Sequence, residues 1–239
     1  MPLKIEQLKN FLGFGEGTKR GEYYFSSGMR FRAGGIEPGW RIAEAVRSST
    51  VTSLDFVQEF AERLESGNSI IYSADDGGDI LKVQDSLASV PANWSLAHTC
   101  GTSSHGNGLI TDHSSSQRLL YIQDEYVGSY DGTVWYDTFM DLGWSLNILK
   151  SPDIYEDWVV IPNGSTVALL NITDDSKNYD AFNFPANFQC IVARSGLNGV
   201  LLGANFNERG VLVLWDCISD RSIAHWIWLT GKVYGIAKY

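Results

Sequence analysis

The sequence predicts an all-β protein of repeated four-stranded units, and three observations lead to this fold class. Short apolar runs that alternate with polar residues recur along most of the 239 residues. Turn residues, mostly Gly, Asn and Asp, separate these runs. Aromatic residues make up 13% of the chain and Pro numbers only 6, a composition typical of packed strands.

Five runs have the character of the first strand of a unit, and the last three begin about 44 residues apart. These runs are 51–56, 108–112, 146–151, 190–195 and 233–239. A second apolar run follows each of the first four, and a tight polar turn then leads to a third. The second runs are 69–74, 118–124, 157–162 and 199–204, and the third runs are 79–85, 126–132, 166–174 and 211–217.

A fourth run, rich in aromatic residues, closes each unit. The fourth runs are 94–98, 133–139, 182–186 and 225–229. Four short strands in about 40–45 residues are typical of a β-propeller blade. The stretch ERGVLVLWDCISD, residues 208–220, then contains the third strand of a blade, and its VLVLWD resembles the Trp-Asp ending of WD40 repeats.

The two ends of the chain predict how the ring closes. The run 233–239 is a first strand with no later strands, whereas 22–27, 29–34 and 40–45 are strand-like runs with no first strand. We therefore predict a five-bladed propeller over residues 20–239 whose last blade is built from both termini. A fragment of a six- or seven-bladed propeller and a β-sandwich are the alternatives.

Two segments depart from the strand pattern. In 53–66, Phe56, Phe60 and Leu64 recur every four residues, so this segment is either a helix or a strand that runs into a charged insertion. Residues 1–19 form a separate N-terminal arm with a helix-like apolar stripe. We predict that the stripe docks on a partner protein or on the rim of the propeller. Its residues are Leu3, Ile5, Leu8, Phe11, Leu12 and Phe14.

Charge and composition exclude several classes of function. The net charge is −10 and the pI is about 4.8, and Lys and Arg are not clustered, which argues against nucleic acid and anionic membranes as partners. No apolar run approaches the ~20 residues of a membrane span, so we expect no membrane insertion. The N-terminus does not resemble a secretory signal, which predicts a protein made in the cytoplasm.

The cysteines and histidines do not form a familiar site. Cys100, Cys190 and Cys217 have no short spacing and are expected to be buried thiols, with a bridge between the last two as the alternative. The segment 98–113 also contains three histidines, His98, His105 and His113. Because their spacings match no known zinc motif, we expect no metal and no cofactor. Purified protein should keep no stoichiometric zinc or calcium, and EDTA should leave its melting temperature unchanged.

Carboxylates near strand ends are the candidates for glycoside hydrolysis, a reaction that needs two converging acidic groups. They are Asp112, Asp124, Asp137, Asp153 and Asp157. No pattern selects a pair among them, and motifs for a nucleophile or a phosphate-binding loop are absent from the sequence. Asp-rich turns such as DDGGD, residues 75–79, lack the spacing of a calcium loop. The sequence therefore favours a protein without catalytic residues.

The tryptophans are predicted to fill the space between blades, although aromatic rings can also stack on sugars. Those in or beside predicted strands are Trp94, Trp135, Trp144, Trp158, Trp215, Trp226 and Trp228.

Two stretches resemble known propeller proteins. The repeat at 118–139, with its YDGTVW core, is similar to repeats of bacterial surface and sensor propellers and of virion-associated proteins of tailed bacteriophages. The stretch 22–47, with its FSSG motif, resembles the start of phage propeller proteins. The resemblance implies a propeller fold and a place in a phage particle or tail, and it implies no site residue.

The sequence therefore predicts a non-catalytic propeller that acts as a structural or protein-binding module, in a homo- or hetero-oligomeric assembly and plausibly in a phage virion. A glycan-binding, lectin-like propeller is the alternative function, and a glycoside hydrolase is the third. The protein-binding module predicts partner proteins, whereas the lectin-like propeller predicts aromatic side chains exposed at the blades.

Overall fold

The computed structural model describes residues 57–75, 78–87, 93–101, 106–112, 114, 116–143, 150–196, 198–217 and 224–236, and the backbone of four short strands before them. These four are β1 (Phe14–Gly15), β2 (Tyr23–Tyr24), β3 (Met29–Arg32) and β4 (Gly35–Pro38). Strands β1 and β2 pair in parallel, and β3 and β4 form an antiparallel hairpin. The other predicted residues of the N-terminal arm lie outside the described residues.

Sixteen further strands form four antiparallel sheets in which neighbours in the chain are neighbours in the sheet. Sheet I contains β5 (Val57–Glu65), β6 (Asn68–Asp75), β7 (Asp79–Gln84) and β8 (Ser95–Thr99), with one 3-10 turn at Asp85–Leu87. Sheet II contains β9 (Gly106–Thr111), β10 (Leu119–Gln123), β11 (Tyr126–Tyr130) and β12 (Trp135–Asp141). Sheet III contains β13 (Asp153–Tyr155), β14 (Trp158–Asn163), β15 (Thr166–Asn171) and β16 (Lys177–Asn183). Sheet IV contains β17 (Phe188–Gly196), β18 (Gly199–Phe206), β19 (Arg209–Trp215) and β20 (His225–Trp228).

The sheets pack face to face in chain order, and three apolar seams hold them together. Strand β10 illustrates this packing, because all its residues are buried and successive side chains enter different seams. Leu119 and Tyr121 lie in the seam between sheets I and II, whereas Leu120 and Ile122 lie in the seam between sheets II and III. Successive side chains of a strand point to opposite faces, so a strand between two neighbouring sheets is apolar at every position.

The predicted all-β fold is confirmed, and its four-stranded sheets have the arrangement of propeller-like blades. The four repeated units correspond to sheets I to IV. Three predicted boundaries were wrong. The first strand of the first unit is Val57–Glu65, later than the predicted 51–56. The first strand of the third unit is Asp153–Tyr155, later than the predicted 146–151, and its fourth strand is Lys177–Asn183, earlier than the predicted 182–186. Strand β13 has only three residues and β16 is exposed at most positions, so neither carries enough apolar alternation to be located from sequence.

The segment 53–66 resolves as a strand, because Val57–Glu65 forms β5. Residues spaced by four lie on one side of a helix, but they also lie on one face of a strand, whose period is two. The buried positions of β5 are the odd ones, Ala61 and Arg63, and Leu64 is 54% exposed. Ser66 and Gly67 both have positive φ, which suits the two-residue hairpin turn that follows.

The predicted composite blade is not seen in the described residues. Val233–Ile236 belongs to no strand, and the rest of the two segments that would form this blade lies largely outside the description. Val233 is buried against sheet IV instead. The Asn205 side chain accepts a hydrogen bond from Val233 N (2.7 Å) and donates one to Val233 O (2.8 Å). Arg194 Nε donates to Ile236 O at 3.0 Å.

The tryptophans divide between the seams and the outer strands. Trp94 and Trp215 are buried, and Trp135, Trp158 and Trp226 are half-buried against a seam. Trp228 is largely exposed on β20. The three cysteines are free and buried, as predicted. The part of the chain that the structure describes contains no helix with the length and apolar character of a membrane span.

Candidate functional site

A polar cluster lies at the seam between sheets I and II, where the outer strands β8 and β12 approach each other. His98 on β8 and Cys100 just after it are two residues apart, so an extended chain directs both side chains to the same face. Trp135 and Asp137 have the same spacing on β12. The sequence therefore places two pairs of side chains on facing edges of the seam.

Asp137 is the centre of this cluster. Its Oδ1 accepts hydrogen bonds from His98 Nε2 at 2.6 Å and from the Tyr121 hydroxyl at 2.7 Å. Its Oδ2 accepts one from Gly101 N at 3.0 Å. Because a carboxylate only accepts, Nε2 of His98 carries the proton in this pair. Three donors from both sheets thus meet on one carboxylate and connect sheet I to sheet II.

Aromatic rings cover one side of the cluster. The His98 ring stacks on Trp135 with centroids 4.5 Å apart and an interplanar angle of 6°. Trp135 stacks in turn on Tyr130, with centroids 4.1 Å apart and an angle of 11°. Tyr72 meets the edge of Trp135 at 6.4 Å. This stack fixes the imidazole plane, so that His98 presents Nε2 to Asp137.

The surroundings perturb two of the acids. Burial alone would raise the pKa of Asp137, but the hydrogen bonds from His98, Tyr121 and Gly101 outweigh it and lower the pKa below its usual value. Burial, followed by the hydrogen bond to Asp137, raises the pKa of Tyr121 far above its usual value. Asp137 is therefore held as a carboxylate and Tyr121 as a neutral donor.

His98, Cys100 and Asp137 are also the group whose potential ligand atoms converge, all within 4.8 Å of one another. The cluster is tighter than a zinc site. Two ligand atoms on one tetrahedral zinc lie about 3.3 Å apart, since each is ~2.0 Å from the metal. His98 Nε2 and Asp137 Oδ1 lie in direct hydrogen-bond contact at 2.6 Å. A metal would have to break that bond, so we retain the expectation that EDTA leaves the melting temperature unchanged.

Sequence reasoning considered His98 together with His105 and His113, which lie outside the described residues. It placed Asp137 in a separate group of candidate acids. The pairing of His98 with Asp137 depends on how sheets I and II meet. The only sign of it in the sequence is weak: His98 and Cys100 are two residues apart, and so are Trp135 and Asp137.

Replacing Asp137 with Asn is expected to lower the free energy of unfolding at pH 7 by about 2 kcal/mol, because a hydrogen-bonded carboxylate loses its charge. The folded pKa of Asp137 is lowered, so its stabilisation is complete above the unfolded value near ~4 and is lost as pH falls through the folded value. Urea unfolding should therefore show that the free energy of unfolding of Asp137→Asn differs less from that of the wild type at pH 3 than at pH 7. Asp157→Asn, at an exposed position, is the control, and an equal difference at both pH values would contradict the assignment.

Of the other candidate acids, Asp112 and Asp153 have side chains that connect parts of the fold. The buried Asp112 accepts hydrogen bonds from Ser114 and from Arg118, whose Nε lies 3.0 Å from Oδ2. Asp153 Oδ2 accepts from the backbone N (2.6 Å) and the hydroxyl (2.9 Å) of Ser195 and so joins sheet III to sheet IV. Asp124 lies in the β10–β11 turn, and its carbonyl accepts from the buried Lys150. Asp157 lies exposed in the β13–β14 turn.

A second concave site lies between the ends of sheets II and III. It is a cleft of about 460 Å³. Its lining residues come from the end of β12, the β14–β15 turn and the middle of β16. They are Asp141, Leu142, Gly143, Asn163, Thr166, Tyr179 and Asp180. Asn163 Nδ2 donates to Leu142 O at 3.1 Å and ties the two sides of the cleft together.

The outward face of sheet IV is a third candidate surface. The inner part of this face, with Ile191 and Val192, is covered by Val233 and by the half-buried Ile236. Farther out, Leu214 on β19 and Ile227 on β20 are 38% and 54% exposed. The opposite face of the same two strands, with Val213 and Trp226, packs in the seam between sheets III and IV, so the outward face differs from it in leaving apolar residues exposed.

Comparisons with known proteins found little. No protein-family model matches the chain, and no curated protein matches it. Among solved structures, the chain is similar to the crystal structure of the computationally designed Ika8 protein, with 14% sequence identity and a TM-score of 0.42. The match covers 68% of this chain and 46% of the designed protein, so the chain spans about half the length of the structure it matches.

Proposed function

We propose that this protein is a non-catalytic, propeller-like module that functions by binding other proteins. The observation that carries the proposal is the outward face of sheet IV, where Leu214 and Ile227 are exposed on two strands whose other face is packed in the seam with sheet III. Exposed apolar patches on a rigid sheet are typical of protein-binding surfaces. A rigid sheet also loses little conformational entropy when a partner docks.

The contacts of the candidate acids support a non-catalytic role. Asp112, Asp137 and Asp153 are each held by two or more hydrogen-bond donors from neighbouring segments. A pair of catalytic carboxylates instead has to face a substrate. The resemblance of 22–47 and 118–139 to phage propeller proteins extends the proposal to a WD40-like subunit of a phage particle or tail, with the N-terminal arm as a further docking segment.

The proposal is tested by the double substitution Leu214→Asp and Ile227→Asp. Both side chains are exposed, so the melting temperature should change little. Light scattering over a concentration series and cross-linking in the native source should show the wild type in a complex and the variant outside it. Leu96→Asp, at an exposed apolar position on the outer strand of sheet I, is the matched control and should assemble normally.

Two results would contradict the proposal: a wild type that is monomeric and uncrosslinked under all conditions, or a variant that assembles like the wild type. Deletion of residues 1–19 in the same assays separates the arm from the sheet. If the deletion abolishes the complex and the double substitution does not, the docking surface is the arm and the assignment to sheet IV is wrong.

A further inference from the structure

The cleft between sheets II and III has a backbone feature that brings two adjacent side chains into one site. In the pairing of β15 with β16, Val167 is opposite Phe182 and Leu169 is opposite Asn178, so the register shifts between these pairs. The extra residues on β16 form a bulge at 179–181. Adjacent residues of a regular strand point to opposite faces, but a bulge can redirect a side chain. Tyr179 and Asp180 consequently both line the cleft.

The cleft combines an aromatic surface with hydrogen-bond acceptors. The Tyr179 ring is 43% exposed. Asp180 and Asp141 line the same cleft, and Asp141 Oδ1 accepts a hydrogen bond from Gly143 N at 2.8 Å, which orients that side chain. Asn163 forms the buried floor, and its Oδ1 accepts no hydrogen bond from the chain. This oxygen is shielded from solvent, so the acceptors that remain open to a ligand are the two exposed carboxylates.

These features determine the chemical class of the ligand. The lining residues contain two carboxylates and no Lys or Arg, which disfavours phosphates, sulfates and carboxylates. The carboxylates of Asp141 and Asp180 are hydrogen-bond acceptors, so they favour a ligand with several donors. An exposed ring beside them requires an apolar face on the same ligand. A neutral saccharide has both, because its hydroxyls donate at the edge while its C–H groups cover one face of the ring.

We propose that this cleft is a binding site for a neutral saccharide, with Tyr179 as the stacking platform and Asp141 and Asp180 as hydroxyl acceptors. Its volume of about 460 Å³ is in the range of small-molecule sites and accommodates one or two sugar rings. The site is independent of the docking face of sheet IV, so either proposal can fail without the other.

The experiment uses the full chain and a panel of neutral mono- and oligosaccharides on a glycan array, followed by saturation-transfer NMR and calorimetry on the hits. Tyr179→Ala is expected to weaken binding at least about tenfold, since the stacking surface is lost. Tyr136→Ala is the matched control, because Tyr136 is 50% exposed on the outer strand of the preceding sheet and does not line the cleft. Its affinity should equal that of the wild type.

Gly143→Asn tests the cleft by a different route. Gly143 has a φ of +67°, a conformation that Asn tolerates, and a Cβ added there meets no atom within 4 Å. The new side chain should fill part of the cleft and weaken saccharide binding without unfolding the protein, which the melting temperature checks.

Three results would overturn the proposal. The first is that no saccharide of the panel binds at about 10 mM. The second is that a bound saccharide has the same affinity for Tyr179→Ala as for the wild type. The third is that choline or a diamine binds in its place, with an affinity that falls steeply at high salt, which would assign the cleft to a cation.

Discussion

Replacing Phe182 with Ala is expected to lower the free energy of unfolding by about 3–5 kcal/mol, the usual effect of removing a buried aromatic ring. Phe182 is 2% exposed and lies in the seam between sheets III and IV. Its ring centroid is 5.0 Å from that of Phe184 and 5.2 Å from that of Trp215, with tilted or edge-on geometry. The substitution removes these contacts and leaves a cavity that the two rigid sheets cannot close.

The matched control is Tyr179→Ala, three residues earlier on the same strand. Because Tyr179 is exposed, its loss should change the free energy of unfolding by less than about 1 kcal/mol. Urea unfolding followed by tryptophan fluorescence measures both variants. Similar effects of the two substitutions would show that sheets III and IV do not meet through Phe182.

The seams show which part of the fold the sequence predicts well. Strands such as β10 and β14 contain apolar residues at consecutive positions because each face is buried against another sheet. Their length and their flanking turns identify them as strands without knowledge of the tertiary structure. The outer strands are harder to locate, since β16 is exposed at most positions and carries little apolar pattern. The four described four-stranded sheets and their order were therefore predictable, and the bounds of outer strands were not.

The segment 53–66 shows a different limit. Phe56, Phe60 and Leu64 satisfy helical and strand periodicity equally, and only the pairing of β5 with β6 decides between them. The hairpin turn at Ser66 and Gly67 was the signal that could have favoured the strand, since a helix would not need two consecutive residues with positive φ.

The candidate sites are harder to predict from sequence than the strands are. His98 and Asp137 are 39 residues apart and meet only because β8 and β12 occupy facing edges of one seam. The cleft depends on a bulge in β16 that redirects Asp180, and a two-residue change of register has no distinct signature in a polar strand. Long-range packing and local irregularity create both sites, and the local pattern of residues encodes neither.

Arg63 connects sheet I to sheet II through groups that a smaller side chain cannot replace. The residue is 7% exposed. Its Nε donates to Gln117 O at 2.8 Å, its Nη2 donates to Asp131 O at 2.9 Å, and its Nη1 forms an ion pair with Glu65 at 2.7 Å. The guanidinium also lies over the ring of Tyr130, 5.2 Å from its centroid. One side chain therefore satisfies three backbone carbonyls next to the strands of sheet II, those of Ser116, Gln117 and Asp131, and one carboxylate of sheet I.

Arg63→Ala is expected to lower the free energy of unfolding by about 3–5 kcal/mol, since it leaves three backbone carbonyls without this donor and leaves the Glu65 carboxylate with the Tyr72 hydroxyl but without its cation. Arg63→Lys should recover only part of this loss, because an ammonium cannot reach all these acceptors in one geometry. Arg209→Ala is the control. That exposed residue lies over Trp228 at 5.4 Å, and its loss should have an effect below about 1 kcal/mol.

Hydrogen exchange locates the effect of the Arg63 substitution within the fold. Because Arg63 acts at the seam between sheets I and II, backbone amides of β6 and β10 should exchange faster in Arg63→Ala, whereas those of β14 and β18 should keep their wild-type rates under native conditions. Uniformly faster exchange in all four sheets would show that the sheets unfold as one cooperative unit. An unchanged exchange pattern with wild-type stability would show that Arg63 does not hold this seam, and the bonds from its guanidinium to Gln117 and Asp131 would then have no energetic role.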